Sequence, residues 1–254
     1  MSTWLLAALV VVGSVLGALA GMYVKRRLVS DETLRAHHDV ARAIYALVGT
    51  IYAVILAFAV AIVWQSYTAA EATVSREANA LSDVERMSRG FPVEIRRQVQ
   101  EAARTYGRLV VNKEWDAMSR GESSPQADAA LIEMWHAYTD MSPSDKQNPL
   151  YSQSIQRLNE LSDGRRLRLL ATHDRVPLVM WILLCCGGVI MVVFAYLFAM
   201  KSVGLQSLMV ALVSGMIAFT VFLIFVLDGP FIGNMKVKPD SFEFVLRNME
   251  NLER

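Results

Sequence analysis

The sequence predicts an all-α integral membrane protein with four transmembrane helices and a helical extramembrane domain between spans two and three. Its 254 residues are 54% hydrophobic, and four stretches reach the roughly 20 apolar residues that a bilayer crossing requires. None of these stretches contains an internal Lys, Asp or Glu, and a long polar segment rich in helix formers separates the second from the third. The four stretches are Thr3–Val24, Ala41–Trp64, Val176–Met200 and Val203–Leu227.

The first apolar stretch is predicted to remain in the protein as a membrane span. Its basic cluster, Lys25, Arg26 and Arg27, follows the apolar core, whereas a cleavable secretory signal has basic residues before the core. Residues 1–64 therefore form a first membrane section of two spans joined by a short basic loop. Residues 176–227 form a second membrane section, with spans three and four.

Residues 65–175 are predicted to form the helical domain, because helix formers dominate over β-branched residues and the charges nearly balance. Proline at a first helical turn and Asn as a cap indicate where its helices begin. Gly164 makes a break possible in the last helix of the domain. The four predicted helices cover about residues 65–89, 92–118, 125–141 and 149–173.

The C-terminal section, residues 228–254, opens with "DGPFIGNMKVKPDSFEF". Its density of Gly, Pro and Asn predicts a turn or a short hairpin and argues against a fifth span. Asp228 beside Gly229 and Pro230 is typical of a turn.

The distribution of basic residues predicts the orientation in the membrane. The first loop is basic while the N-terminal tail has no basic side chain, so the positive-inside rule places the loop in the cytoplasm and the N-terminus outside. The helical domain then lies outside the cytoplasm as well. Arginines close to the third span favour the opposite orientation. These are Arg165, Arg166, Arg168 and Arg175.

Small residues recur at four-residue spacing in three of the four spans. In hydrocarbon, helices associate through close van der Waals packing, which small side chains permit. The stripes serve packing within one bundle or association between copies of the chain, and their number favours a homo-oligomer. The candidate helix-packing residues are Gly13, Gly17 and Gly21 in span one, Ala61 in span two and Gly215 in span four.

The second span carries the candidate pore-lining face. It has an aliphatic face suited to lipid and, roughly opposite, a face of small residues with a few hydroxyls. Hydroxyls buried in lipid need partners, which are neighbouring helices, waters or passing solutes. Tyrosines bonded to adjacent helices and a water-filled oligomeric pore both remain open. The candidate lining residues are Tyr45, Gly49, Thr50, Tyr52, Ala53 and Ala57.

Ionisable residues flank the second span and are candidates for an ion-attracting vestibule. His37, His38 and Asp39 precede the span, where helix capping and headgroup contact are the simpler explanation. Glu71 and Glu77 follow it, and in an oligomer they would form acidic rings that favour cations, or else are solvated helix charges.

No catalytic motif is present, so an enzyme is not expected. The chain lacks the GxSxG, HExxH, P-loop and CxxC patterns, and neither a metal site nor a cofactor is predicted. The formal net charge of +1 gives no argument for nucleic acid as a partner. Cys185 and Cys186 are adjacent in the third span, where they cannot easily form a disulfide.

Three segments resemble a known family. Residues 35–81, with "NKEWDAM" at 112–118 and "LDGPFIGNMKVKPDSF" at 227–242, are similar to bacterial membrane proteins grouped as an uncharacterised domain and labelled bestrophin-like. The resemblance implies an ion channel built by several subunits around a central axis, with the second span lining the pore. The chain differs at Gly229, where Arg is frequent in this pattern. In bestrophins the helical domain is cytosolic. The basic first loop of this chain favours the opposite orientation, with the helical domain outside the cytoplasm.

We therefore expect a homo-oligomeric ion channel of the bacterial inner membrane, with transmembrane helix two lining the pore. Its expected partners are the lipid bilayer, inorganic ions and other copies of the chain. The alternative is a non-conducting membrane scaffold or sensor whose helical domain binds a partner protein.

Overall fold

The structure, a computed structural model, describes residues 3–28, 38–198, 202–233 and 235–251. These residues form nine α-helices and no strand, which confirms the predicted all-α class. The helices are α1 (Thr3–Leu28), α2 (His38–Met87), α3 (Val93–Leu109), α4 (Trp115–Met118), α5 (Pro125–Thr139), α6 (Pro149–Leu170), α7 (Leu178–Tyr196), α8 (Val203–Leu227) and α9 (Asp240–Asn251).

Four of these helices are long and apolar enough to cross a membrane, as the sequence predicts. They are α1, the segment Ala41–Gly90 that contains most of α2, α7 and α8, and their most apolar windows have mean hydropathies of 2.4 to 2.7. The chain divides into two compact units, which we call the membrane unit (Met1–Gln65 and Arg175–Asp228) and the helical domain (Ser66–Asp174 and Gly229–Arg254).

Close contacts between helices of the membrane unit occur at glycines. The Tyr196 hydroxyl donates a hydrogen bond to the Ala18 carbonyl at 2.7 Å, and a Cβ on Gly21 would lie 2.8 Å from that hydroxyl. Gly215 of α8 faces α1, and a Cβ on Gly215 would lie 3.5 Å from the Val15 side chain. A Cβ on Gly13 or Gly17 would meet no atom within 4 Å, so these two glycines lie open in the single chain.

The helical domain begins two of its helices at the caps that the sequence predicts. The Ser124 hydroxyl accepts a hydrogen bond from the Ala127 amide, and the Asn148 side chain accepts one from the Leu150 amide at 2.9 Å. Proline follows each cap as the first helical residue, where its missing N–H costs nothing. The starts of α5 and α6 are therefore confirmed.

The possible break at Gly164 does not occur, since α6 runs without interruption from Pro149 to Leu170. The glycine instead allows α6 to approach α2 closely. A Cβ on Gly164 would lie 2.9 Å from the Glu77 Cβ and 3.2 Å from the Glu77 Cα. Gly164 is thus a packing residue of the helical domain.

The C-terminal section contains more regular structure than its turn-forming residues predict. A turn is present, with Gly233 at φ +79° and the Val237 amide bonded to the Pro230 carbonyl at 2.7 Å. Beyond it the chain forms α9, which the sequence analysis missed. Phe242, Val245 and Met249 lie on one face of α9 and are buried in the helical domain.

Candidate functional site

The second transmembrane helix packs against α7 through Tyr52. This side chain is only 6% exposed, and its hydroxyl donates a hydrogen bond to the Leu184 carbonyl at 2.8 Å. The ring lies against Gly187 and Gly188, and a Cβ on Gly187 would overlap it. Two consecutive glycines in α7 therefore leave the space that the Tyr52 ring on α2 occupies.

Tyr45 and Gly49 lie on the same packed side of α2. The Tyr45 ring contacts Phe198 edge-on, with 5.1 Å between the ring centroids, and a Cβ on Gly49 would lie 3.1 Å from the Met191 methyl carbon. Three of the six candidate lining residues, Tyr45, Gly49 and Tyr52, thus face helices of their own chain. For Tyr52 this is the alternative that the sequence left open, a tyrosine bonded to an adjacent helix.

The exposed side of α2 divides into two sectors of different chemistry. At 100° per residue, each sector spans about 80° of the helix surface. The small-residue sector comprises Ala46, Thr50, Ala53, Ala57 and Ala61, all exposed. Trp64, on the same side of the helix, marks the end of this sector and is not part of it. The aliphatic sector comprises Leu47, Ile51, Val54, Phe58 and Ile62, each about half exposed or more. Three candidate lining residues, Thr50, Ala53 and Ala57, therefore lie on an open, thin surface.

Thr50 is the one hydroxyl-bearing residue of the small-residue sector, and its hydroxyl is bonded within the helix. It donates to the Ala46 carbonyl at 2.8 Å, one turn earlier. The sector thus presents methyl groups and backbone, with no polar group that must find a partner in the lipid.

The candidate vestibule residues have different environments. His37 lies outside the described residues, and only the backbone of His38 and Asp39 is described, as part of the first turn of α2. Glu71 is exposed. Glu77 has 0% exposure, so the expectation that it is solvated or forms an acidic ring is wrong.

Glu77 belongs instead to a buried charge cluster, which we define as Glu77, Tyr106, Glu114, Arg165 and Arg168. Arg168 is fully buried and bonds Glu77 through two nitrogens, at 2.6 and 2.9 Å. It also bonds Glu114 at 2.7 Å, while Arg165 bonds the other Glu114 oxygen at 2.8 Å. The Tyr106 hydroxyl donates to Glu77. Every carboxylate of the cluster therefore has cationic donors, as burial of a charge requires.

Aromatic rings and an irregular turn complete this cluster. The Arg168 guanidinium lies 5.4 Å from the centroid of the Trp115 ring and 5.9 Å from that of Phe242. A π-helical turn, Val110–Glu114, follows α3 and carries Glu114, which is fully buried there. Such turns are frequent at functional sites and shift side chains relative to a regular helix. The cluster joins α2, α3, α6 and this turn within the helical domain.

Sequence reasoning missed the cluster because its partners are far apart in the chain. Arg168 and Glu77 are separated by 91 positions, and Arg168 entered the sequence analysis only as a basic residue near a span. The available signal was a pair of arginines three residues apart, Arg165 and Arg168, in a helical segment that also contains several leucines. That spacing places both arginines on one helix face.

The surroundings shift the acid–base behaviour of the cluster. Burial alone would raise the pKa of the Glu114 carboxyl, but Arg168 and Arg165 outweigh burial and lower it below its usual value. Burial alone would lower the pKa of the Arg168 guanidinium, but Glu77 and Glu114 raise it. Burial, reinforced by Glu77, raises the pKa of the Tyr106 hydroxyl well above its usual value. At neutral pH the carboxylate of Glu114 is ionised, Arg168 is charged and Tyr106 is neutral.

Replacing Tyr106 with Phe is expected to lower the free energy of unfolding of the helical domain by about 1.5–3 kcal/mol near neutral pH, the contribution of a hydrogen bond to a charged group. The folded-state pKa of Tyr106 is raised above the unfolded value of 10.0, so its contribution is complete below pH 10 and falls as the pH rises above it. Denaturant unfolding of both proteins at pH 8 and pH 11 should therefore show a smaller difference at pH 11. A difference that stays constant would contradict the assigned burial of the hydroxyl.

No group of three or more His, Cys, Asp or Glu is placed to hold a metal ion within the described part of the chain.

The fold is shared with known membrane proteins. A family model described as the bestrophin-like domain matches residues 12–242. Two crystal structures of a bacterial bestrophin homolog from Klebsiella pneumoniae, each with a single substitution, are similar over 96% and 99% of this chain and 98% of theirs. Their TM-scores are 0.68 and 0.71, at 14% sequence identity.

A crystal structure described only as a membrane protein is similar over 97% of this chain and 98% of its own, with a TM-score of 0.65 at 16% identity. At such identities the likeness shows a common fold. No curated protein matches the chain.

Proposed function

Because the chain belongs to the bestrophin-like family, we propose that it forms a homo-oligomeric ion channel of the bacterial inner membrane, with α2 lining the pore. The similar structures described as a bacterial bestrophin homolog support a channel, and the four apolar helices support a multi-pass membrane protein. The observation that carries the proposal is the small-residue sector of α2, which lies open in the single chain.

In the oligomer the small-residue sectors of the α2 helices face one another across the central axis. Apolar surface as such gives little driving force for association in lipid, so the copies are held together by close van der Waals packing between helices of neighbouring subunits. The aliphatic sector, which Phe58 and Ile62 represent, is suited to lipid or to a neighbouring subunit. The contact of Tyr52 with Gly187 and Gly188 determines how α2 is rotated about its own axis, so that the small-residue sector faces away from α7.

In the assembled channel, Thr50, Ala53 and Ala57 line the path, because their short side chains leave room for water and ions between α2 helices. Tyr45, Gly49 and Tyr52 support this wall from behind, where they contact their own chain. A lining of this kind conducts when hydrated and closes when it loses water, as apolar constrictions in channels do.

The ends of this path are proposed to be less apolar. His37, His38, Asp39 and the exposed Glu71 remain candidates for a vestibule that attracts inorganic ions. Glu77 is no longer one of them, because its carboxylate is buried with Arg168. The N-terminus is proposed to lie outside the cytoplasm, on the basis of the basic first loop.

The proposal is tested with purified protein in liposomes, where ionic current is expected. Replacing Ala53 with Trp fills the lining surface and should lower the conductance at least about tenfold, because a bulky side chain closes a narrow constriction. Replacing Phe58 with Trp places the same side chain in the aliphatic sector of the same helix and should leave the conductance near that of the unchanged protein.

Equal effects of the two substitutions would contradict a lining role for the small-residue sector. Silent liposomes that contain correctly inserted, oligomeric protein would contradict the channel itself. If the liposomes are silent and a stoichiometric partner protein co-purifies, the result would favour the alternative function, a non-conducting scaffold or sensor.

A further inference from the structure

A groove opens in the membrane unit between α1, α7 and α8. Its volume is about 400 Å³, within the range of sites that hold small molecules. Its lining is almost wholly apolar and includes Gly17, Ala18, Gly188, Val192, Tyr196 and Ala218. Two serines, Ser14 and Ser214, also line it, and the Ser214 hydroxyl donates to the Ala211 carbonyl of its own helix.

Glycine stands at two positions of the groove wall, with different effects. A Cβ on Gly17 would meet no atom within 4 Å, so any larger side chain there would extend into open space. A Cβ on Gly188 would instead lie 3.0 Å from Ile217 on α8 and 3.1 Å from the Tyr52 hydroxyl on α2, so this glycine allows α7 to pack closely against both helices. An open apolar groove between helices that are apolar enough to cross a membrane suits a hydrocarbon chain.

One end of the groove lies close to a cluster of positive charge. Tyr196, which lines the groove, contacts α1 at Gly21 and bonds the Ala18 carbonyl. One further helical turn along α1, about 6 Å of rise, begins the basic last turn with Lys25, Arg26 and Arg27. Clusters of Lys and Arg at the membrane boundary attract anionic headgroups.

We propose that this groove binds an anionic phospholipid. An acyl chain occupies the groove beside Gly17, and the headgroup phosphate lies at Lys25–Arg27. Charge complementarity with the basic turn identifies the occupant as a lipid with an anionic headgroup. The lipid would act as a structural ligand of the membrane unit, and its binding does not depend on ion conduction.

The test titrates the full-length protein in detergent micelles with phosphatidylglycerol or phosphatidylcholine and measures bound lipid by native mass spectrometry. Phosphatidylglycerol is expected to bind at least about tenfold more tightly, because only its headgroup carries net negative charge. Replacing Gly17 with Leu fills the groove and should weaken phosphatidylglycerol binding by a similar factor.

Two further variants make the result specific. Replacing Gly13 with Leu introduces the same side chain on the same helix at an equally open position outside the groove, and binding should remain unchanged. Replacing Lys25, Arg26 and Arg27 with Gln together should remove the preference for phosphatidylglycerol while leaving weak binding of both lipids.

Equal binding of the two lipids by the unchanged protein would overturn the proposal. So would a Gly17→Leu protein that binds phosphatidylglycerol normally. If Gly17→Leu instead dissociates the oligomer while the unchanged protein binds no lipid, the groove holds a second copy of the chain and the proposal is wrong. None of these readouts uses ion current, so failure here is distinguishable from failure of the channel proposal.

Discussion

Replacing Arg168 with Met is expected to lower the free energy of unfolding of the helical domain by about 3–5 kcal/mol, the cost of breaking a buried ion pair. Arg168 is fully buried and donates to both Glu77 and Glu114, so its loss leaves Glu77 without a cation in the cluster and Glu114 with Arg165 alone. Denaturant unfolding followed by circular dichroism measures the change. Arg166→Met is the matched control, because the Arg166 side chain is 70% exposed and its ion pair with Asp163 contributes about 0–1 kcal/mol.

The same cluster predicts a partial rescue. Adding Glu77→Leu and Tyr106→Phe to Arg168→Met removes the carboxylate that is left without a cation, together with the hydroxyl that bonds it. Glu114 keeps Arg165 at 2.8 Å in this triple variant. We expect most of the lost stability to return, because uncharged replacement of a buried ion pair is often close to neutral. A triple variant less stable than Arg168→Met would show that the cluster contributes in another way.

Replacing Gly187 with Leu is expected to destabilise the membrane unit by about 3 kcal/mol, the upper end of the usual cost of overpacking. A Cβ on Gly187 already overlaps the Tyr52 ring, and the ring cannot move away without breaking its bond to the Leu184 carbonyl. Thermal unfolding of the protein in detergent micelles measures the effect. Gly204→Leu is the matched control, since the nearest atom to a Cβ there, the Ser202 hydroxyl, is 4.0 Å away.

A second substitution separates loss of fit from a general effect of leucine in the third span. Tyr52→Ala in the Gly187→Leu background makes room for the new side chain. Part of the lost stability should return, even though Tyr52→Ala removes a buried hydrogen bond. Strictly additive losses in the double variant would mean that the two positions do not interact.

The sequence by itself determined the fold class, the four spans and the starts of α5 and α6. Each of these depends on residues close together in the chain. A stretch of about 20 apolar residues is a transmembrane helix whatever it packs against, because only a helix satisfies its backbone in lipid. Ser124 with Pro125, and Asn148 with Pro149, specify helix starts through hydrogen bonds that span only two or three residues.

Only the tertiary structure decided which side of α2 faces its own chain. In a soluble helix the buried side is the apolar side, but in a transmembrane helix the packed and the lipid-facing sides are both apolar. The pattern around Tyr45, Tyr52 and Ala53 therefore could not separate them. The choice came from α7, where the Leu184 carbonyl and Gly187 receive Tyr52 across 132 positions of sequence.

The formation of the buried charge cluster was likewise decided only by the tertiary structure. Glu77 reads as a surface charge in its own helix, and Arg168 reads as a residue near a membrane boundary. They are buried together because Gly164 allows α6 to approach α2 closely and the π-helical turn carries Glu114 to the same place. Whether a charge is solvated or paired inside a protein depends on which groups the other helices place beside it. The spacing of Arg165 and Arg168 puts both on one helix face but does not identify their partners.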